Sequence, residues 1–196
     1  ICACLVGSEM CIRDSFWTDP RTGEIRGATM VLHQHVAAKI NRWRFVQTAQ
    51  IDPRVRNVVM PREVMDESLA YVAAHEMGHC LGLAHNMAGS SAIPVDSLRS
   101  ATFTQKYGTT ASIMDYARFN YVAQPEDGIT QLTPKIGTYD KHAINWGYRW
   151  LGAQDPHEEL PTLNAWLREH EDDPEYWYGE QRFQNNEDPR SQSEDL

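Results

Sequence analysis

The 196-residue chain has no run approaching the ~18 consecutive apolar positions of a membrane-spanning helix. It has no excess of glycine or proline, with 12 and 10 residues, which excludes collagen-like and low-complexity chains. It shows no internal repeat. It has no surplus of positive charge: the net charge is −9, which argues against a general nucleic-acid binder. Cysteine is scarce outside one stretch. Cys2, Cys4 and Cys11 fall within the first fifteen residues, and only Cys80 lies beyond them. No internal disulfide can form in the remainder, so cysteine usage does not reveal a compartment. The composition is otherwise ordinary, 41% hydrophobic and 23% charged, and the length suits one domain with a real core.

The start of the chain reads as foreign. Leu5 to Ser15 matches, residue for residue, the translation of a common sequencing-library adapter end. Residues 1–15 are therefore set aside as a non-native segment, as an expression scar would be. A missing targeting signal then says nothing about location. Charge divides the rest. From Asp155 to Leu196 there are 13 acidic and 3 basic residues, whereas 1–154 carries 14 acidic and 15 basic ones. The expected organisation is a body over 16–152 and an acidic extension over 153–196.

Along the body, the Asp19-Pro20-Arg21-Thr22-Gly23 run predicts a turn and 23–33 a strand. Val36, Ile40, Trp43 and Val46 stand at helical spacing and predict a helix over 36–50, ended by Asp52-Pro53. A long helix is expected over 61–83, with Asp66 as N-cap or one turn in. On it Leu69, Ala73, Met77 and Cys80 share one face, expected to be the core side. Ser68, Tyr71, Val72, His75 and His79 share the other. Residues 86–111 read as a long loop. A helix is expected over 138–151, with Thr138 as N-cap and Gly152 past its end, and a short one over 161–169.

The informative stretch runs from His75 to Asn86. His75 and His79, at i and i+4, project from one helix face, and two neutral imidazoles at that spacing suit a tetrahedral Zn²⁺. Glu76 stands ~100° round from His75, beside such a metal, where a carboxylate can take a proton from an activated water. His85 comes six residues after His79. On a straight helix it would face roughly 240° away, so the chain must turn first, and Gly82 sits where that turn is needed. Three histidines leave a fourth position open, as in catalytic rather than structural zinc sites. Cys80 points elsewhere and reads as a small core residue. His33 and His35 flank an apolar segment without a partner at ligand spacing. His157 and His170 are each followed by proline where a second histidine would be required, at Pro161 and Pro174.

The twelve residues from His75 to Asn86 resemble the extended zinc motif of the metzincin metalloendopeptidases. Ser112-Ile113-Met114-Asp115-Tyr116 resembles their Met-turn, whose methionine lies beneath the zinc. The stretches WTDPRTGEIRGA, HNMAGS, SIMDYARFNY, IGTYDKHAINWGYRW and EDPRSQSEDL resemble a bacterial group of large zinc-dependent metalloproteases. In that group the chain continues beyond both ends, so this sequence is expected to be an internal fragment.

The resemblance implies an α+β fold: a twisted, mostly parallel sheet with an antiparallel edge strand, an active-site helix, and a C-terminal helix after the Met-turn. It implies one catalytic Zn²⁺ on His75, His79 and His85, and Glu76 as general base. It implies Tyr116 as a zinc ligand at rest or oxyanion stabiliser, with Gly82 and Met114 in structural roles. It places a substrate-binding strand at 27–33 and pocket walls at Phe119 and Tyr121. Asp140 either anchors the site or favours its helix N-terminus. The partner implied is a peptide or protein substrate, and the location implied is extracytoplasmic. Oligomeric state is not readable. Two alternatives stay open: an inactive zinc-containing peptide-binding module, and a zinc hydrolase of non-peptide amides or esters. A thermolysin-like third ligand, a downstream glutamate, is made unnecessary by His85, Gly82 and Met114.

Overall fold

The computed structural model describes residues 12–33 and 35–180, with backbone alone for 12–14. Cys2, Cys4 and Cys11, most of the adapter-like segment and the closing EDPRSQSEDL lie outside the described residues.

The chain opens with β1 (Ile12–Thr18) and β2 (Ile25–Leu32), paired antiparallel from Ile12↔Leu32 to Trp17↔Gly27, with an irregularity at Trp17/Thr18. Asp19 closes the turn between them: its backbone N–H bonds Glu24 O at 2.8 Å and its carboxylate takes Arg21 in two side-chain bonds. Those bonds hold the Asp19 carboxyl down to about 2. The strand is shorter at both ends than 23–33 because the turn uses Gly23 and Glu24. No parallel pair occurs among the described residues, where the only sheet is this two-stranded one. Helices with a small antiparallel sheet agree with an α+β chain.

Next comes α1 (His35–Thr48), which buries the i, i+4 stripe Val36, Ile40, Arg44 and Thr48. Asp52 stops the chain and caps the 3₁₀ turn Pro53–Arg56 by accepting from Arg54 N at 3.0 Å. Helix α2 (Arg62–Cys80) packs on α1 and also touches β1 and β2. Its N-cap is Pro61, not Asp66, which instead pairs with Arg62 at 3.5 Å on the surface. Proline serves at that end because the first turn has no use for its missing N–H.

The face of α2 expected to be polar is buried as well as part of the apolar one. Val64, Ser68, Val72, His75, Glu76 and His79 are buried; of the expected core side Cys80 is buried and Leu69 packs half-buried against the core, whereas Met77 is 52% exposed. The polar members of that face are inside because they have partners, Ser68 bonding Val64 O at 2.7 Å and the histidines bonding carbonyls described below. Val72 joins Val36, Ile40 and Phe119 in the main core cluster, with Trp43, Met65, Leu69 and Tyr71 against it.

The expected loop over 86–111 contains α3 (Val95–Leu98) and α4 (Ala101–Tyr107), the latter capped by Ser100 Oγ on Phe103 N. Each is too short to leave a helical period in the sequence. Residues 109–115 then run irregularly and almost wholly buried. Helix α5 (Thr138–Tyr148) has Gly137 rather than Thr138 as N-cap. Asp140, three residues in, reaches back to Gly137 N at 2.7 Å. Helix α6 (Leu160–Glu169) buries no residue. The chain then returns to the body: Met87 N bonds Gly179 O at 2.8 Å, and Asn86 bridges Glu180.

Candidate metal centre

The last turn of α2 sets the site. Leu83 N bonds Gly78 O at 3.0 Å and Gly82 N bonds His79 O at 2.8 Å, the paired 6→1 and 5→2 bonds that close a helix through a left-handed residue. That residue is Gly82, with φ of +87°. The reversal carries His85 back under the helix end, and the Nε2 atoms converge. His79 Nε2 lies 3.2 Å from His75 Nε2 and 3.0 Å from His85 Nε2. Among the described residues these three are the group of His, Cys, Asp or Glu side chains placed to share one metal ion. All three are buried, with 5–7% of their surface exposed.

Hydrogen bonds decide which nitrogen faces inward. His75 Nδ1 is 2.6 Å from Ile113 O and His79 Nδ1 is 2.8 Å from Leu83 O. A carbonyl has no proton to give, so each Nδ1 is the donor and each Nε2 turns a lone pair inward in the neutral ring. Burial, reinforced by His79 and His85, holds the His75 imidazolium down to about 3, so the ring is neutral at ordinary pH. Two inward lone pairs at 3.2 Å repel unless a cation lies between them. The edge of a tetrahedron with Zn–N of ~2.05 Å is ~3.3 Å, close to both separations. The donor set fits zinc.

The turn at 112–116 lies directly under this helix end. Met114 is fully buried, and a Cβ added at Gly78, between the two helical histidines, would collide with its sulfur. Only glycine permits that approach. Asp140 pins the turn: its carboxylate accepts from Ser112 Oγ, Ile113 N and Gly137 N, all at 2.7 Å. Ile113 thus receives from His75 at its carbonyl and gives to Asp140 at its amide. Both roles considered for Asp140, anchor and helix terminus, are present at once.

Asn86, the residue after His85, is a second knot. Its amide N–H bonds Met114 O at 2.9 Å, its Nδ2 bonds Trp177 O at 2.9 Å, and its Oδ1 accepts from Gly179 N at 2.8 Å. Nothing in the local sequence signals this, because the partners lie some ninety residues downstream. Asp115 is buried and accepts from Ser90 N; burial raises its carboxyl against that bond.

Glu76 is 2% exposed and lines a pocket with His75. Tyr116 is half-buried, its ring 4.5 Å from the His85 centroid and stacked on His75 at 5.9 Å. The same pocket is completed by Trp43, Tyr71, Val72 and Arg118. Phe119 and Tyr121, expected as its walls, are elsewhere. Phe119 is in the core, and Tyr121 is 61% exposed. Arg118 lines the pocket instead, held over Trp43 at 4.9 Å. His33, His35, His157 and His170 stand outside the three-histidine group, and Cys80 is buried.

A family described as Met-zincin matches residues 57–196, more than two thirds of the chain. The chain belongs to the Met-zincin family. No curated protein and no solved structure matches it. The matched range takes in α2, the 112–116 turn and α5, so the family assignment and the converging histidines rest on the same residues. This Met-zincin is a metzincin-type zinc metalloprotease by family, with three histidines able to hold the metal. Among its described residues no helix is long and apolar enough to cross a membrane.

Proposed function

We propose that this Met-zincin is a zinc-dependent endopeptidase whose catalytic ion is held by Nε2 of His75, His79 and His85, with Glu76 as general base. The observation that carries the reading is one geometry: three imidazoles converge on one point, and one of them, His75, lines a pocket together with the buried Glu76 carboxylate. Bound there, zinc supplies a Lewis acid and makes water acidic enough to react near neutral pH. Glu76 takes the proton from the attacking water and delivers it to the leaving amine nitrogen. The Tyr116 hydroxyl stabilises the negative charge that grows on the carbonyl oxygen. Met114 and Gly82 hold the geometry, the first as the floor of a Met-turn and the second as the reversal before His85.

Substrate strands bind along β2, over 27–33, by adding to its edge. The catalytic body spans 16–152, 153–196 is an acidic extension of it, and the protein works outside the cytoplasm.

The test is hydrolysis of a quenched mixed-peptide library by the zinc-loaded chain beside its Glu76→Gln variant. Cleavage by the parent is expected, with a fall of at least ~10³-fold in the variant at equal zinc content. Near-parental cleavage by the variant would remove Glu76 from the chemistry. A folded, zinc-loaded parent that cleaves no peptide would remove the peptidase reading itself.

A further inference from the structure

The pocket beside Glu76 has a chemistry that the hydrolytic reaction does not use. Setting aside His75, Glu76 and Tyr116, its walls are Trp43, Tyr71, Val72 and Arg118. Three of these present apolar surface. The Tyr71 hydroxyl is committed, donating to Ala117 O at 2.7 Å. Arg118 is the cation among the lining residues, and its guanidinium lies 4.9 Å above the Trp43 indole. Lys39 adds a second positive charge at 5.0 Å from the same ring. Stacking on an indole restricts the guanidinium plane, and a restricted planar fork is the donor geometry that matches a carboxylate in two parallel bonds.

Resting on the peptidase reading above, we propose that Arg118, carried on Trp43, is a specificity-determining residue that selects substrates placing a carboxylate beside the bond to be cut. An apolar sleeve with a cation fits a short aliphatic stem ending in an acid. That carboxylate has two sources, an aspartate or glutamate side chain or the free C-terminus of a peptide. The second would make the enzyme trim chain ends. Glu76 opposes the incoming charge, and a divalent ion on three neutral imidazoles offsets that single carboxylate. Arg118 then supplies the net attraction and its direction.

The test uses the zinc-loaded full chain and end-blocked peptides differing at one position, Glu, Gln or Lys, with a fourth, neutral peptide that has a free C-terminal carboxylate. The expected result is kcat/KM for the Glu peptide about tenfold or more above Gln, with Lys lowest, as one charge-assisted bidentate contact provides. The preference should disappear in Arg118→Gln, survive in part in Arg118→Lys, and turn towards Lys in Arg118→Glu. Affinities of the Glu76→Gln chain for the same peptides should rank in the same order without turnover. Preference for the blocked Glu peptide assigns the side chain as source; preference for the free carboxylate alone assigns the chain end. Charge-blind cleavage by the parent overturns this proposal and leaves the peptidase reading standing, whatever the variants do. Retention of the full Glu preference by Arg118→Gln removes Arg118 from the role. Cleavage of none of the peptides or the mixed library, with zinc bound, overturns both.

Discussion

Two buried polar clusters hold this molecule together, and they are built differently. Around Asp140 every bond is short and directional: three donors at 2.7 Å on one carboxylate, then Ile113 on to His75. Around Arg44 the guanidinium is wholly buried, yet its carboxylates stand off, Asp52 at 3.7 Å and Glu67 at 3.5 Å. Its one close partner is Thr133 Oγ1 at 2.5 Å, and Nε makes no hydrogen bond. Burial pulls the Arg44 guanidinium below its usual value, and Glu67 and Asp52 push it back. The first cluster fixes positions, as a metal centre requires. The second balances charge between α1, α2 and the 120–133 segment, where an ångström of slack is tolerable. Fully satisfied networks specify geometry; loosely paired buried charges do so weakly.

The sharpest way to break this contrast is Asp140→Ala. It strands Ile113 N and Gly137 N and releases the turn that orients His75. Stability should fall by about 3–5 kcal/mol and zinc affinity by roughly 10–100-fold, read by denaturant titration and zinc competition. Undiminished zinc affinity would make the cluster structural only.

Next in size is Gly78→Ala, whose methyl meets the Met114 sulfur. Overpacking of this kind costs about 1–3 kcal/mol, and Gly78→Ala with Met114→Ala should recover part of it. Additive losses in the pair would show that the two do not touch. Arg44→Met should cost about 1–2 kcal/mol, through lost packing on Phe119 and loosened carboxylates. Asp52 keeps Arg54 at 2.8 Å and Glu67 is one-third exposed, so neither is left buried and alone. Zinc affinity should not move; a change in it would erase the distinction between the clusters. The smallest effect is Gly82→Ala, about 1 kcal/mol for a side chain at φ +87°, seen as a slightly lower Tm with a modest loss of zinc affinity.

The sequence makes the metal centre legible because its logic is local. The spacings of His75, His79 and His85 and the reversal at Gly82 all lie within eleven residues, where helix geometry together with one turn predicts convergence. The elements β2, α1, α2, α5 and α6 are legible for the same reason, to within three residues at most of their ends. What is not legible depends on distant chain. The apolar pattern missed the buried polar face of α2, because His75 takes its partner from Ile113, some forty residues on, and Met77 on the favoured face is exposed. Asn86 looked like the end of a motif; its role is set by Trp177 and Gly179. Arg44 carries no local sign of its burial, which comes from Asp52, Glu67, Thr133 and Phe119 gathered around it. Gly78 likewise has no local reason to be glycine; the approach of the Met114 sulfur supplies one.

The measurement that tests the account most directly is competitive zinc titration of the parent, Glu76→Gln and His85→Ala chains. One zinc per chain is expected in the first two with similar affinity, and affinity at least ~100-fold weaker in the third, since a tetrahedral site loses one of its three protein ligands. Parental affinity in His85→Ala would contradict the three-histidine centre on which everything else is built.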